Sequence, residues 1–157
     1  MKVETCMSRN EGLAAIWTPV TLSLDPGWST GLVLFNNDGV VMEHLTLDRS
    51  QLHLRLGDLR RANLPAVVIV ERLPISLTKE MREVYEVVNS TFPPHDDSIV
   101  VKRRTYTRVD ISPGEWKPMT AKLPVPFKTK SQHEKDAYWM ALHWLIKRGF
   151  LRRPEVI

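Results

Sequence analysis

The chain has 157 residues, 43% hydrophobic and 25% charged, values of one ordinary globular domain that exclude a disordered or fibrous chain. Its one cysteine, Cys6, excludes an internal disulfide and suits a reducing compartment. No apolar run reaches the length of a membrane span, and the first 19 residues lack the basic start and apolar stretch of a signal peptide, so a cytoplasmic protein without membrane contact is expected.

Residues 1–19 show no periodicity and read as an N-terminal extension, followed by a domain over 20–150 and a short tail over 151–157. Val20 to Asp25 reads as a first strand, Thr30 to Phe35 as a second and Val40 to Thr46 as a third. Asn36-Asn37-Asp38-Gly39 supplies the hairpin turn between the last two. From Asp48, a candidate N-cap, Leu52, Leu54, Leu56 and Leu59 suggest a helix that Pro65 stops.

Ala66 to Val70 is an unbroken apolar run rich in β-branched residues, the signature of a parallel strand covered on both faces, and it ends in Glu71. Ser76 to Val88 has helical spacing and Ser98 to Lys102 reads as a fifth strand. The segment 105–128 shows little periodicity beyond a helical turn near Glu115-Trp116-Lys117 and reads as a loop. Ser131 to Lys147 is a clear helix, with Ser131 as N-cap and Glu134 three residues on completing a capping box. Trp139 and Trp144 on it read as core or dimer contacts.

The net charge of +4 is unevenly placed, because eight Lys or Arg residues between Lys102 and Lys130 face only Asp110 and Glu115. That block is a candidate surface for a polyanion. Lys117, Lys128 and Lys130 flank the last helix and have the best claim to phosphate contact, with Arg103, Arg104 and Arg108 available to an adjacent duplex arm.

Asp25 ends an apolar strand and is followed at once by Pro26-Gly27. Alone, such a turn is commonplace in hairpins. The rest of the chain supplies partners. A right-handed crossover can make the first and fourth strands parallel neighbours, and Asp25 and Glu71 would then sit side by side at the edge where open sheets bind ligands. His133 and Asp136, three apart on the last helix, share a face near its start. Hard oxygen donors in this number suit magnesium or manganese, and two such ions can clamp a phosphodiester. His133 has three candidate roles: metal ligand, general base, or a cation near the phosphate.

The stretches LSLDPGWSTGLVLF, VVIVERLP and HEKDAYWMALHWL resemble the three acidic motifs of the RuvC family of Holliday junction resolvases. Asp25 stands at the family's first catalytic acid, Glu71 at its catalytic Glu, and His133 with Asp136-Ala137 at its closing motif. The resemblance, from about Val20 to Trp144, implies a ribonuclease H-like α/β fold, a mixed five-stranded sheet of three antiparallel and two parallel strands flanked by helices. It further implies a homodimer that nicks opposed strands of four-way DNA junctions with magnesium or manganese, two ions per site. The leader before Asp25 is longer than usual, and Arg72-Leu73-Pro74-Ile75 lacks the aromatic residue of the bacterial enzymes. Size and divergence are those of a bacteriophage-type member, which would act in the host cytoplasm.

Three alternatives stand beside this reading. A YqgF-type RNA-processing nuclease shares the first motif, but Glu71 argues against it. An actin or sugar-kinase phosphate domain also opens Asp-x-Gly-x-x-Thr-Gly, but the chain is too short for a two-domain cleft. A non-catalytic nucleic-acid-binding module would bind DNA without metal-dependent nicking.

Overall fold

Val20–Asp25 (β1) and Thr30–Phe35 (β2) are buried at every position, which only the middle of a sheet covered on both faces allows. The computed structural model describes residues 20–36, 38–72, 77–94 and 106–149. After β2 come Val41–Leu47 (β3), Arg49–Arg61 (α1), Pro65–Glu71 (β4), Lys79–Thr91 (α2), Thr107–Ile111 (β5), Pro113–Thr120 (α3) and Gln132–Lys147 (α4). The sheet order is β3-β2-β1-β4-β5. The β3, β2 and β1 strands pair antiparallel, whereas β1 with β4 and β4 with β5 pair parallel. This is the five-stranded mixed sheet expected from the sequence.

Period-two alternation along the central strands builds two cores. Leu22, Leu24, Val68 and Val70 face α1 and α2, where they meet Leu52, Leu56, Leu59, Val84, Val88 and Phe92. Val33, Phe35, Ile69 and Ile111 face α3 and α4 and pack on Trp116, Ala137, Met140, Ala141 and Leu145. Each fully buried Leu or Ile in these layers contributes about 2 kcal/mol of apolar burial. The β2–β3 hairpin closes on Asn36, whose side-chain oxygen accepts from the amides of Asp38 and Val40, while Gly39 takes φ +79.

Asp48 caps α1 with a reciprocal capping box: its side chain accepts from the Gln51 amide, and the Gln51 side chain accepts from the Asp48 amide. The apolar stripe of α1 is Leu52, Leu56 and Leu59. Leu54, expected with them, is 66% exposed, because two residues from either neighbour turns it off the buried face. The α2 helix begins at Lys79 with Thr78 as its cap, later than the expected Ser76.

The largest departure lies between residues 105 and 128. A loop was expected there, but the structure has β5 and α3. Val109 and Ile111 alternate with Arg108 and Asp110, an apolar face of two residues too short to stand out in the sequence, and Pro113 opens α3 where a missing amide proton costs nothing. Residues 121–130 are irregular in backbone yet alternate in burial: Leu123, Val125 and Phe127 pack inward while Lys122, Lys128 and Lys130 face solvent. The expected strand Ser98–Lys102, the extension 1–19 and the tail 151–157 lie outside the described residues.

Candidate active site

The same alternation that builds the cores aims the acidic groups. Asp25 shares a face of β1 with Thr21 and Ser23, and Ser23 Oγ donates to the Ala137 carbonyl of α4 at 2.7 Å. Glu71 shares a face of β4 with Val67 and Ile69, which also pack toward α4. Leu24 is in register with Val70, so the next residues, Asp25 and Glu71, end neighbouring parallel strands under the same helix.

Two glycines admit the first turn of that helix. A Cβ on Gly31 would lie 2.0 Å from the His133 carbonyl oxygen and 2.6 Å from the Glu134 amide nitrogen, both backbone atoms that cannot step aside. A Cβ on Gly27 would lie 2.8 Å from His133 Cε1. The Asp-Pro-Gly turn therefore makes room for an imidazole as well as ending a strand.

His133 Nδ1 donates to Asp25 Oδ2 at 2.7 Å, and Asp25 is only 4% exposed. That hydrogen bond is the main reason the His133 pKa lies above its ordinary value; burial opposes it, and the charges of Asp25, Asp136 and Glu71 reinforce it. Glu71 is pushed up to about 7 by burial first and by the charge of Asp25 second, with Asp136 adding to the rise. Its Oε2 accepts from the indole Nε1 of the fully buried Trp116 at 3.1 Å, and its backbone carbonyl accepts from the Tyr85 hydroxyl. Burial and the charge of Asp25 also raise the Asp136 pKa, against a hydrogen bond of 2.8 Å donated by Gln132 Nε2 to Oδ1.

Three carboxylates and one imidazole, brought from two strands and one helix, thus act on one another electrostatically. Each of the three carboxylates accepts a hydrogen bond. Among the described residues no three His, Cys, Asp or Glu side chains gather tightly enough to hold an ion as they stand. Each carboxylate meets the repulsion of the others and takes a hydrogen-bond donor instead: Asp25 takes His133, Glu71 takes Trp116, and Asp136 takes Gln132. The donor set is nonetheless the right kind for a hard divalent cation, because oxygen donors predominate, and burial first and the charge of Asp25 after it raise the pKa of two of them.

Of the basic residues, Lys117 belongs to this field, since its charge lowers the pKa of both Glu71 and Asp136. Its ammonium also lies 5.6 Å from the centre of the Trp116 ring. Lys128 and Lys130 are exposed on the segment leading into α4. Arg108 does not present itself to a duplex. Its side chain is 4% exposed and donates to Asp110 Oδ1 at 2.8 Å, Asn89 Oδ1 at 2.9 Å and the Phe92 carbonyl at 2.7 Å, because its place on β5 turns it toward α2. Arg103 and Arg104 lie outside the described residues.

A buried carboxylate beside the site had been given a simpler role. Ser131 Oγ accepts from the Glu134 amide as an N-cap should, but the Glu134 side chain does not return to Ser131. It accepts from Thr46 Oγ1 and from His44 Nδ1, the latter at 2.6 Å. Burial alone would raise the Glu134 pKa, yet these bonds and one from Thr129 outweigh it and hold the group below its ordinary value. His44 in turn stacks on Phe127 with ring centres 4.1 Å apart, so β3, the irregular residues 121–130 and α4 are tied together beside His133. Trp116 and His44 escape sequence reading because their partners are far along the chain; the alternation of His44 and Thr46 on β3 was the one local sign.

No protein-family model and no curated protein sequence matches the chain. Solved structures do. Thermus thermophilus RuvC in complex with Holliday junction substrate aligns with 83% of this chain and 96% of its own, with 16% identity and a TM-score of 0.54. The fowlpox virus Holliday junction resolvase aligns with 82% of this chain and 99% of its own, with 13% identity and a TM-score of 0.56. The chain has their ribonuclease H-like fold. In that fold it carries Asp25, Glu71, His133 and Asp136 around the carboxyl ends of β1 and β4. Trp139 and Trp144 serve the core of this domain: Trp139 stacks on Trp116 with ring centres 6.5 Å apart and donates to the Leu123 carbonyl at 2.9 Å, and Trp144 is buried. No described helix is long and apolar enough to cross a membrane.

Proposed function

We propose that the chain is a metal-dependent, structure-selective DNA endonuclease that resolves four-way junctions by paired phosphodiester hydrolysis, acting as a homodimer. The observation that carries this reading is the meeting of Asp25 and Glu71 on adjacent parallel strands beneath His133 and Asp136, in the fold of two junction resolvases. Asp25, Glu71, His133 and Asp136 are the residues that would hold divalent ions. Magnesium or manganese bound there would offset the carboxylate charge, polarise the scissile phosphodiester and favour attack by water.

The chain's own groups divide the remaining work. Asp25 orients the His133 ring through Nδ1 and raises its pKa; the charge of a bound ion would oppose that protonation and leave Nε2 of the neutral ring to hold the ion. Trp116 holds one oxygen of Glu71 and leaves the other available. Lys117 adds positive charge where a strand must approach three acids, while Lys128 and Lys130 extend that charge along the surface without reading sequence.

The test is Asp25→Asn. It removes a ligand and leaves every lysine in place, so cleavage of a labelled four-way junction should be abolished while junction affinity stays within about threefold, less than 1 kcal/mol. Full nicking by that variant would overturn the reading.

A further inference from the structure

Trp28 is the one strongly exposed aromatic side chain among the described residues, 73% accessible, whereas Trp116 and Trp144 are buried and Trp139 is partly buried. It stands three residues beyond Asp25, in the turn that joins β1 to β2. Both strands are buried along their whole length, so the turn that carries the indole has a firm support at the same edge of the sheet as Asp25.

The hollow beside it, about 360 Å³, is walled by Asp48, Arg49, Ser50, Glu80, Glu83 and Val84. Three of these are carboxylates, and the single guanidinium, Arg49, is paired with Glu83. Such a wall repels phosphate. It accepts the part of a nucleic acid that is uncharged, planar and edged with amino donors, namely a base. An aromatic ring offers every base the same π-face, and it can be used only where the base is out of its duplex stack.

We propose that Trp28 stacks on an unpaired nucleobase of the DNA substrate as the strand enters the acidic site. The proposal rests on the nuclease reading above and adds a source of selectivity to it. Bases at a branch point leave their stack at little cost, while bases in a continuous duplex do not. Trp28 therefore favours branched over linear DNA, a discrimination that lysine–phosphate contacts alone do not provide.

The experiment compares the full chain carrying Asp25→Asn, which binds without cutting, with the same chain also carrying Trp28→Ala or Trp28→Tyr. Binding is measured to a four-way junction, to a linear duplex of the same sequence, and to junctions with an abasic analogue at one branch-point nucleotide at a time. Trp28→Ala should weaken junction binding roughly 5- to 100-fold, leave duplex binding unchanged and become insensitive to an abasic position that weakens the parent. Trp28→Tyr should restore most of the loss. Junction binding by Trp28→Ala equal to the parent, or an equal loss on duplex, would overturn the role of Trp28 alone. Failure of the parent to bind the junction would overturn the nuclease reading as well.

Discussion

Glu71 and Asp136 are held partly buried beside another acid at a cost to the fold. An acid whose folded-state pKa is raised carries more protons folded than unfolded, so stability falls as pH rises through the interval between the two values. For Glu71 that interval runs from 4.5 to about 7, and burial followed by the Asp25 charge is its cause. Glu71→Gln keeps an acceptor for Trp116 and removes the charge. The variant should therefore be more stable than the parent by about 1 to 2 kcal/mol near pH 8, after allowing for partial solvation, with the gap closing near pH 4. Denaturant melts at the two pH values check this, and a variant less stable than the parent at the higher pH would contradict it. Magnesium should narrow the same gap by raising the stability of the parent.

At the scale of elements, the decisive contact is between β2 and the first turn of α4. Gly31→Ala drives a methyl group into the His133 carbonyl and the Glu134 amide, so it should cost about 3 kcal/mol or more and displace His133 from Asp25. Gly114→Ala is the matched control. A Cβ there meets nothing within 4 Å, and the variant should gain about 0.5 to 1 kcal/mol from helix propensity. Equal effects of the two substitutions in denaturant titration would show that close approach at Gly31 is not what seats the helix.

Much of this arrangement was legible in the sequence, and for definite reasons. Strands β1, β2 and β4 are short apolar runs, β1 and β4 end in acids, and α4 has an unambiguous stripe, so Asp25, Glu71, His133 and Asp136 were all placed on the correct elements. What was hidden depended on distant partners. Gly31 looks like a strand residue until a helix lands on it, Glu134 looks like half of a capping box until Thr46 and His44 claim it, and Trp116 looks like one more core aromatic until its indole meets Glu71. Arg108 was misread because a five-residue strand turns alternate residues to opposite faces, and a count of basic residues does not register faces.

At the scale of the whole molecule, charge divides the surface. The acidic centre lies at the ends of β1 and β4, while Lys128 and Lys130 stand exposed on the segment approaching α4. Lysines that meet DNA phosphates release counterions, so the proposed function predicts an affinity that falls steeply with salt. Lys128→Ala and Lys130→Ala should each reduce the slope of log K against log salt by about 1, alike for every sequence tested. An unchanged slope would place the DNA path elsewhere.

The central claim is that the acidic site cuts branched DNA with a divalent cation. It is tested most directly by offering the purified chain a labelled four-way junction beside a linear duplex of the same sequence, with magnesium, manganese or a chelator. Paired nicks in the junction alone, in either metal and absent in chelator, are the predicted result. Equal cutting of both substrates, or cutting that survives chelation, would contradict it.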